Sequence, residues 1–316
     1  MRILVAGGAG FIGAALCKNL LRLGHAVVCL DSLQTGTAQT VEQLSVFAGF
    51  TFLHKDITQP LDPGQVGRVE QVYNLACPAS PRKYQQDPVA TIETNVIGTR
   101  NLLNLARLTR ARFLLASTSE VYGSPLQKPQ SEDYWGNVNT TGPRSCYDEG
   151  KRCAEALVHA YGAQYKLDTR IARIFNTYGP GMQRDDGRVI SNFVTRILDS
   201  VPIEVYGDGR QTRCFCYVDD MVDALIALMA SDCDTPVNLG ADREVSVAEL
   251  AYLVGRVLEK PVTVHHVPAL IDDPRERQPD LEKCRRVLGW QATTTLEAGL
   301  LKTAAFFSQA QEQLHA

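Results

Sequence analysis

The sequence has almost no excess charge and no long apolar run. Its 316 residues include 32 Lys and Arg against 35 Asp and Glu, which gives a formal net charge of -3. This balance offers no general attraction for nucleic acid or anionic lipid, so we expect no nucleic-acid partner. Nowhere do about 18 apolar residues follow one another, which argues against a transmembrane helix. Because residues 2–6 are an apolar run without a charged leader or cleavage site, we expect a cytoplasmic protein without a membrane partner.

The sequence also lacks paired cysteines. Its 9 cysteines are an odd number and include no Cys-x-x-Cys pair, and Cys214 and Cys216 are too close together for a usual zinc or disulfide framework. We therefore expect reduced thiols and no metal site. With 45% hydrophobic and 21% charged residues, the composition is that of a globular protein and excludes disordered, collagen-like and coiled-coil chains.

Short apolar runs alternate with helix-like segments along the first half of the chain. This alternation predicts an α/β fold built on a Rossmann-type, doubly wound parallel sheet. Beyond about residue 175 the pattern is less regular. The predicted strands are residues 2–6, 26–30, 50–53, 71–76, 112–117 and 203–206, and the predicted helices are residues 14–23, 92–107, 189–198, 221–230 and 247–258.

A glycine-rich segment, residues 7–13, lies between the first predicted strand and helix. Its Gly-x-x-Gly-x-x-Gly spacing permits a tight turn and lets backbone N–H groups approach a pyrophosphate. Asp31 ends the second predicted strand, where a carboxylate binds a ribose diol and repels a 2′-phosphate, so we predict NAD rather than NADP. For Asp56 two roles stay open, an adenine contact or a helix cap. The predicted cofactor-binding residues are Gly7, Gly10, Phe11, Ile12, Gly13, Asp31, Asp56, Ile57, Leu75, Tyr147 and Lys151.

Tyr147 and Lys151 are four residues apart at the start of a helical segment. This spacing places both side chains on one helix face, separated by about 6 Å along the axis. We expect the ammonium group of Lys151 to lower the pKa of the Tyr147 phenol, which would let Tyr147 act as a base. Tyr-x-x-x-Lys is a short pattern, so a chance match remains an alternative.

Ser117-Thr118-Ser119-Glu120 ends the predicted strand 112–117. Open α/β sheets hold their ligands at this end of the strands. A hydroxyl there can hydrogen-bond an oxygen that is being oxidised, and Glu120 can act as a general acid or base if burial raises its pKa. The alternative is a surface turn with an exposed glutamate.

Together with Asn95, these features resemble the extended short-chain dehydrogenase/reductases that modify nucleotide sugars, and within that family the chain is most similar to the UDP-glucuronate decarboxylases. The resemblance covers nearly the whole chain. It depends on residues 76–81, 117–123 (STSEVYG), 134–139, 142–152 (GPRSCYDEGKR), 173–180 (RIFNTYGP), 186–193 and 206–213.

The resemblance implies NAD-dependent decarboxylation of UDP-glucuronate to UDP-xylose through a 4-keto intermediate, with NAD regenerated. Residues 1–175 would form the NAD-binding Rossmann domain with the catalytic residues, and residues 176–316 would mainly bind the UDP-sugar, with some chain crossing back to the sheet. The implied catalytic residues are Thr118, Ser119, Glu120, Tyr147, Lys151 and Arg277, and the implied substrate-binding residues are Asn176, Arg188, Arg213 and Arg277.

Guanidinium groups match phosphate and carboxylate oxygens, which supports a binding role for the arginines. Arg275 and Arg277 are equally compatible with surface charges. We also expect a homodimer, because residues 91–108 and 148–165 form two predicted helices with enough apolar surface to pair across a two-fold axis.

Other functions remain open at this point. A nucleotide-sugar 4,6-dehydratase typically carries Asp-Glu where this chain has Ser119-Glu120, a 4-epimerase needs no Glu120, and a non-enzymatic NAD-sensing protein would need none of the catalytic groups. Three features depart from the decarboxylase pattern and affect the identity of the sugar or nucleotide. They are Gly181 in place of an expected Arg, Glu93 in place of an expected Lys, and Thr140-Thr141 in place of a pair that contains proline.

Overall fold

The computed structural model describes the backbone of residues 1–315 and the side chains of residues 1–309. The strands are β1 (Arg2–Ala6), β2 (Ala26–Asp31), β3 (Phe50–His54), β4 (Gln71–Asn74), β5 (Arg112–Thr118), β6 (Thr169–Ile174), β7 (Thr177–Tyr178), β8 (Ile203–Tyr206), β9 (Thr212–Cys214), β10 (Cys216–Tyr217), β11 (Val237–Leu239), β12 (Glu244–Ser246), β13 (Val264–Val267) and β14 (Glu276–Arg277). The helices are α1 (Phe11–Arg22), α2 (Ala38–Ser45), α3 (Pro63–Val66), α4 (Pro81–Tyr84), α5 (Pro88–Glu93), α6 (Thr99–Thr109), α7 (Ser145–Tyr165), α8 (Val189–Leu198), α9 (Val218–Ala230), α10 (Val247–Val257), α11 (Glu282–Leu288) and α12 (Leu296–His315), with a π-helical turn at Thr94–Gly98 and a 3-10 turn at Ser119–Tyr122.

The central sheet has seven strands in the order β11-β6-β5-β4-β1-β2-β3. All neighbouring pairs in it are parallel. The chain runs outward from β1 through β2 to β3 and then crosses back to place β4 on the other side of β1. At such a switch the loops after the two inner strands diverge, which leaves a crevice at the carboxyl edge of the sheet. The predicted Rossmann-type fold is confirmed.

The strand β1 shows why the central strands are continuous apolar runs. Ile3 and Val5 pack into the core cluster that includes α1 and α9, whereas Leu4 and Ala6 pack into the cluster that includes α6. Successive side chains on a strand point to opposite faces, and helices cover both faces of this sheet. Every residue from Ile3 to Ala6 is therefore buried.

The chain beyond residue 175 forms smaller sheets and also returns to the large one. β7 pairs with β10, β8 with β13, and β9 lies between β12 and β14. A separate apolar cluster, which includes Phe193, Leu250 and Leu300, packs α8, α10 and α12 together. β11 and α9 return to the central sheet, where β11 pairs with β6.

The helix predicted at residues 92–107 is interrupted in the structure. α5 and α6 are joined by the π-helical turn Thr94–Gly98. Asn95 lies in this turn, is 1% exposed and donates a hydrogen bond from its amide to the carbonyl of Thr91 at 3.0 Å. A Cβ at Gly150 of α7 would come within 2.9 Å of the same amide nitrogen, so a glycine is needed for α7 to approach this turn.

Further properties of the sequence are visible in the described residues. The described residues form no disulfide, and the free cysteines are Cys17, Cys29, Cys77, Cys146, Cys153, Cys214, Cys216, Cys233 and Cys284. Among the described helices, none combines the length and apolar character needed to cross a membrane.

Candidate active site

A cavity of about 580 Å³ lies at the carboxyl edge of the central sheet. Both the predicted cofactor-binding residues and most of the predicted catalytic residues line it. Those on its wall are Gly7, Gly10, Phe11, Ile12, Gly13, Asp31, Asp56, Ile57, Leu75, Thr118, Ser119, Glu120, Tyr147, Lys151, Asn176 and Arg188.

The glycine-rich loop after β1 has the shape that a dinucleotide phosphate requires. A Cβ at Gly13 would lie 2.0 Å from the Gly7 carbonyl oxygen, and one at Gly7, where φ is +78°, would lie 2.7 Å from the Leu75 backbone. Side chains at these positions would therefore push the loop away from α1 and β4. α1 begins at Phe11, so its first N–H groups face the cavity edge, where they attract an anion. These residues fit NAD.

Asp31 both organises this loop and lines the cavity. Its carboxylate is 7% exposed and accepts hydrogen bonds from the backbone N–H groups of Ala9 at 2.9 Å and Leu33 at 2.8 Å. Asp56 is exposed and accepts a hydrogen bond from the N–H of Thr58 at 2.8 Å, which closes a local turn. The turn does not exclude an adenine contact, because Asp56 and the buried Ile57 remain on the cavity wall.

Tyr147 and Lys151 project from α7 as predicted but do not interact in the way we expected. Tyr147 is 6% exposed and stacks on Tyr84, with ring centroids 4.9 Å apart and an interplanar angle of 5°. The Nζ atom of Lys151 lies 5.8 Å from the Tyr147 ring centroid and donates a hydrogen bond to the Ala116 carbonyl at 2.9 Å.

The pKa of the Tyr147 phenol is not lowered overall in this arrangement, in contrast to what we expected from its spacing with Lys151. Burial raises the pKa of the Tyr147 phenol well above its usual value, and the nearby Cys77 and Glu120 add to the rise, while a side-chain hydrogen bond with Thr118 opposes it. Burial also lowers the pKa of the Lys151 ammonium. Tyr147 is consequently a neutral phenol until further positive charge enters the cavity.

Glu120 lies in the 3-10 turn after β5, between two arginines. Arg277 donates two hydrogen bonds to its carboxylate, both at 2.7 Å, and Arg144 donates another at 2.8 Å. Burial raises the pKa of Glu120, but the two guanidinium groups outweigh that effect and lower it overall. An acid role for Glu120 depended on a raised pKa, but the pKa of Glu120 is lowered in this site. Glu120 is therefore a carboxylate.

Arg277 and Arg213 are buried behind Glu120 and are absent from the described wall of the 580 Å³ cavity. The parallel pairing of β14 with β9 places the two residues opposite each other. Glu120 pairs with Arg277, and Asp273 accepts hydrogen bonds from Arg213 at 2.9 Å and from Arg144 at 3.1 Å. Arg275, in contrast, is exposed, so the surface alternative applies to Arg275 and not to Arg277.

Arg144 and Asp273 are members of the site that the sequence analysis did not single out. Arg144 is 5% exposed and immediately precedes α7, inside the segment 142–152 that carries part of the resemblance. The conspicuous segment 142–152 was therefore the signal in the sequence that could have identified Arg144. The pairing of Asp273 with Arg213 depends on two chain segments that meet only in the folded protein.

Asn176 and Arg188, from the chain beyond residue 175, also line the cavity. The Arg188 guanidinium is paired with Asp186 at 2.7 Å and lies over the Phe11 ring, 5.6 Å from its centroid. Gly181 also lines the cavity and has a φ of +94°; the one described heavy atom that a Cβ there would approach within 4 Å is Phe11 Cδ2, at 3.6 Å. Glu93 and Thr140-Thr141 are exposed residues away from the described wall of this cavity.

A model of the NAD dependent epimerase/dehydratase family matches residues 3–240. The chain belongs to this family. The predicted NAD dependence is thereby confirmed.

Relatives and a solved structure resemble nearly the whole chain. UDP-glucuronic acid decarboxylase 1 of Danio rerio is 46% identical over 308 residues, which are 98% of this chain and 73% of the relative. UDP-glucuronic acid decarboxylase 6 of Arabidopsis thaliana is 49% identical over 301 residues, which are 95% of this chain and 87% of the relative. The crystal structure of UDP-glucuronic acid 4-epimerase from Bacillus cereus, in complex with UDP-glucuronic acid and NAD, aligns with a TM-score of 0.89 at 26% identity and covers 98% of this chain and 100% of that one.

Replacing Asp31 with Asn should weaken the preference for NAD over NADP. The amide keeps an oxygen for one of the two backbone N–H groups but removes the charge that repels a 2′-phosphate. We expect the ratio of NAD to NADP affinity to fall by about tenfold or more, which corresponds to about 1.4 kcal/mol. Titration of the protein with NAD and with NADP measures this ratio. Asp56→Asn is the control and should leave the ratio unchanged. Equal affinity of the unmodified protein for the two dinucleotides would contradict the role of Asp31.

Proposed function

We propose that the protein catalyses the decarboxylation of UDP-glucuronate to UDP-xylose through a 4-keto intermediate, with NAD regenerated in each cycle. The observation that carries this proposal is the identity of 46–49% with UDP-glucuronic acid decarboxylases over nearly the full chain. The cavity supports this proposal, because the glycine-rich loop that would bind NAD and the side chains of Tyr147 and Lys151 all line it.

The residues of the cavity divide the reaction between them. Bound NAD⁺ supplies a hydride acceptor for C4 of the sugar and a positive ring that favours the Tyr147 phenolate. Tyr147 takes the proton from the 4-hydroxyl, and Thr118 hydrogen-bonds the same oxygen. The resulting 4-ketone lies β to the carboxylate. Loss of CO₂ then needs no separate base, since the electrons left at C5 delocalise into the ketone while Thr118 and Tyr147 stabilise the oxyanion.

Ser119 favours decarboxylation over 4,6-dehydration. A dehydratase must protonate a leaving hydroxyl and typically carries Asp at the position of Ser119. The hydroxyl of Ser119 has no acidic proton to offer. Ser119 therefore suits a reaction that loses CO₂ rather than water.

The region 176–316 contributes the groups that we assign to the nucleotide sugar. Asn176 and Arg188 line the cavity, and Arg277 lies directly behind Glu120. We assign the substrate carboxylate or the adjacent phosphate to Arg277, which has five N–H groups and uses two hydrogen bonds for Glu120. Arg277 is absent from the described cavity wall, so the ligand would have to reach its guanidinium group past Glu120. Gly181 adds no cation on this wall, so fewer positive charges remain to balance the substrate.

Replacing Tyr147 with Phe should reduce turnover of UDP-glucuronate by about 100-fold or more, because general-base catalysis at the 4-hydroxyl is lost. NAD binding should persist, since the ring and its stacking on Tyr84 are retained. Release of CO₂ and formation of a UDP-pentose, detected by mass spectrometry, measure the effect. Tyr161→Phe is the matched control, because it removes a hydroxyl from the same helix that hydrogen-bonds Asn104 at 2.9 Å. Near-normal turnover by the Tyr147 variant would refute the mechanism.

Replacing Arg277 with Ala should reduce turnover of UDP-glucuronate by about tenfold or more, since a charge-assisted hydrogen bond contributes about 1.5–3 kcal/mol. Arg275→Ala is the control, because that exposed residue lies two positions away and should change little. Affinities for UDP-glucuronate and for a neutral nucleotide hexose are compared on both variants and the unmodified protein. A preference of the unmodified protein for the neutral sugar would overturn the substrate assignment.

We also propose that the protein is a homodimer that pairs through the helices predicted at residues 91–108 and 148–165. α7 packs against both α5 and α6 in the structure. Apolar side chains on these helices remain exposed, and a second copy would cover them. They are Val89 at 65%, Ile92 at 45%, Leu108 at 63% and Tyr165 at 44% exposure.

Light scattering at micromolar concentration should give the mass of two chains. Ile92→Glu should shift the protein toward the mass of one chain, because it places a charge in an apolar interface. Val46→Glu is the control, since Val46 is 80% exposed on a different part of the surface. A single-chain mass for the unmodified protein would refute the dimer.

A further inference from the structure

A smaller cavity of about 250 Å³ adjoins the site on the far side of Glu120. Glu120 lines both cavities, so its side chain forms part of the wall between them. Asn139, Arg144, Asp148 and Pro274 also line the smaller cavity. It is large enough for several water molecules, because each occupies about 30 Å³ in the liquid.

Asp148 is an unusual member of this cavity. It follows Tyr147 in α7 and is 6% exposed, yet its Oδ1 atom has no hydrogen-bond partner among the described residues. The Tyr84 hydroxyl and the Nε atom of Arg144 are likewise buried without a partner in the described part of the chain. Since buried polar atoms are nearly always hydrogen-bonded, we expect the two that belong to residues of this cavity wall, Asp148 Oδ1 and Arg144 Nε, to find water partners there.

The charges that face Asp148 come from several elements. Burial raises the pKa of the Asp148 carboxyl, the Glu120 carboxylate raises it further, and two guanidinium groups oppose the rise, which brings it to about 7. A carboxyl with this pKa exchanges protons with solvent near neutrality. The groups that act on it are Glu120 in the turn after β5, Arg144 before α7, Arg277 on β14 and Glu149 on α7, and Asp148 in turn raises the pKa of Tyr84 on α4.

The proposed reaction consumes one proton that the sugar does not provide. The 4-hydroxyl proton goes to Tyr147 and returns to the same oxygen when the ketone is reduced. The carboxylate leaves as CO₂, and its electron pair stays at C5 until a C5–H bond forms. That hydrogen comes from outside the substrate, so each turnover takes one proton from solvent into a closed site.

We propose that Asp148 is the proton reservoir for this step and passes its proton to C5 by way of Glu120. The Asp148 O–H bond breaks, the Glu120 carboxylate accepts the proton and gives it up, and a C5–H bond forms. Asp148 then regains a proton from solvent through the 250 Å³ cavity. The inference depends on the proposed decarboxylase function and gives Asp148 a positioning role, because it acts on the substrate through Glu120.

The test follows a single turnover of UDP-glucuronate by the holoenzyme, with CO₂, NADH absorbance and UDP-pentose as readouts. In Asp148→Asn, NADH should form at the normal rate, whereas its reoxidation should slow by about 10- to 100-fold. In the unmodified protein the reoxidation rate should fall as the pH rises through about 7, where Asp148 loses its proton. The variant should lose this pH dependence. Glu149→Gln, which alters the next residue along the helix, should keep the rate and a pH-dependent fall, with only a small shift of the fall to lower pH, because Glu149 is the last-named of the groups that raise the pKa of Asp148.

Two further arms separate proton delivery from a structural effect. Asp148→Ala opens space beside Glu120, and added formate, a small weak acid, should restore part of the reoxidation rate. Normal reoxidation with normal pH dependence in Asp148→Asn, or a pH-independent rate in the unmodified protein between about pH 6 and about pH 9, would overturn the inference and leave the decarboxylase function standing. Absence of CO₂ from the unmodified protein would overturn both.

Discussion

The ion pairs that hold the Glu120 carboxylate between Arg277 and Arg144 are the interaction on which the site depends. They join the end of β5, the segment before α7 and β14, so three parts of the chain meet at one carboxylate. A buried charge is tolerated when partners satisfy it and becomes costly when one is removed. The same ion pairs keep Glu120 ionised, and its negative charge raises the pKa of Asp148. Burial is the larger cause of the raised pKa of Asp148, and the two guanidinium groups oppose the rise.

The residues for the redox step, Tyr147 and Lys151, are positioned differently from the charged arginines of the site. Tyr147 is held by the flat stack with Tyr84, and Lys151 by its hydrogen bond to the Ala116 carbonyl at the end of β5. Both side chains stand on a long helix packed against the central sheet, which fixes their positions before any ligand binds. The arginines lie on loops and short strands instead. The part of the site that carries Tyr147 and Lys151 therefore suits a common oxidation step. The part that carries the arginines is the one in which Gly181 differs from the expected pattern.

Much of the fold was predictable because the central strands are continuous apolar runs and their helices have a clear period. The predicted strands at 2–6 and 203–206 and the helix at 189–198 match β1, β8 and α8. β11 and most strands of the small sheets were missed, since strands of two to four residues leave little periodic signal. The glycine loop, Asp31 and the Tyr147 and Lys151 pair were found because their spacing within one short segment carries the chemistry. The directions of the pKa shifts of Tyr147 and Glu120 were not predicted, because burial and contacts between distant segments determine them.

The connection between Glu120 and Arg277 has a consequence for how the protein matures. The two residues are 157 positions apart in the sequence, so the contact closes about half of the chain into a loop. During synthesis the N-terminal part emerges first and can fold as a unit, while a contact of such long range forms late. A nascent chain can therefore assemble the glycine loop and the sheet around β1 while Glu120 still lacks one of its two guanidinium partners. Competence for the complete reaction arises only when the last quarter of the chain has joined the fold.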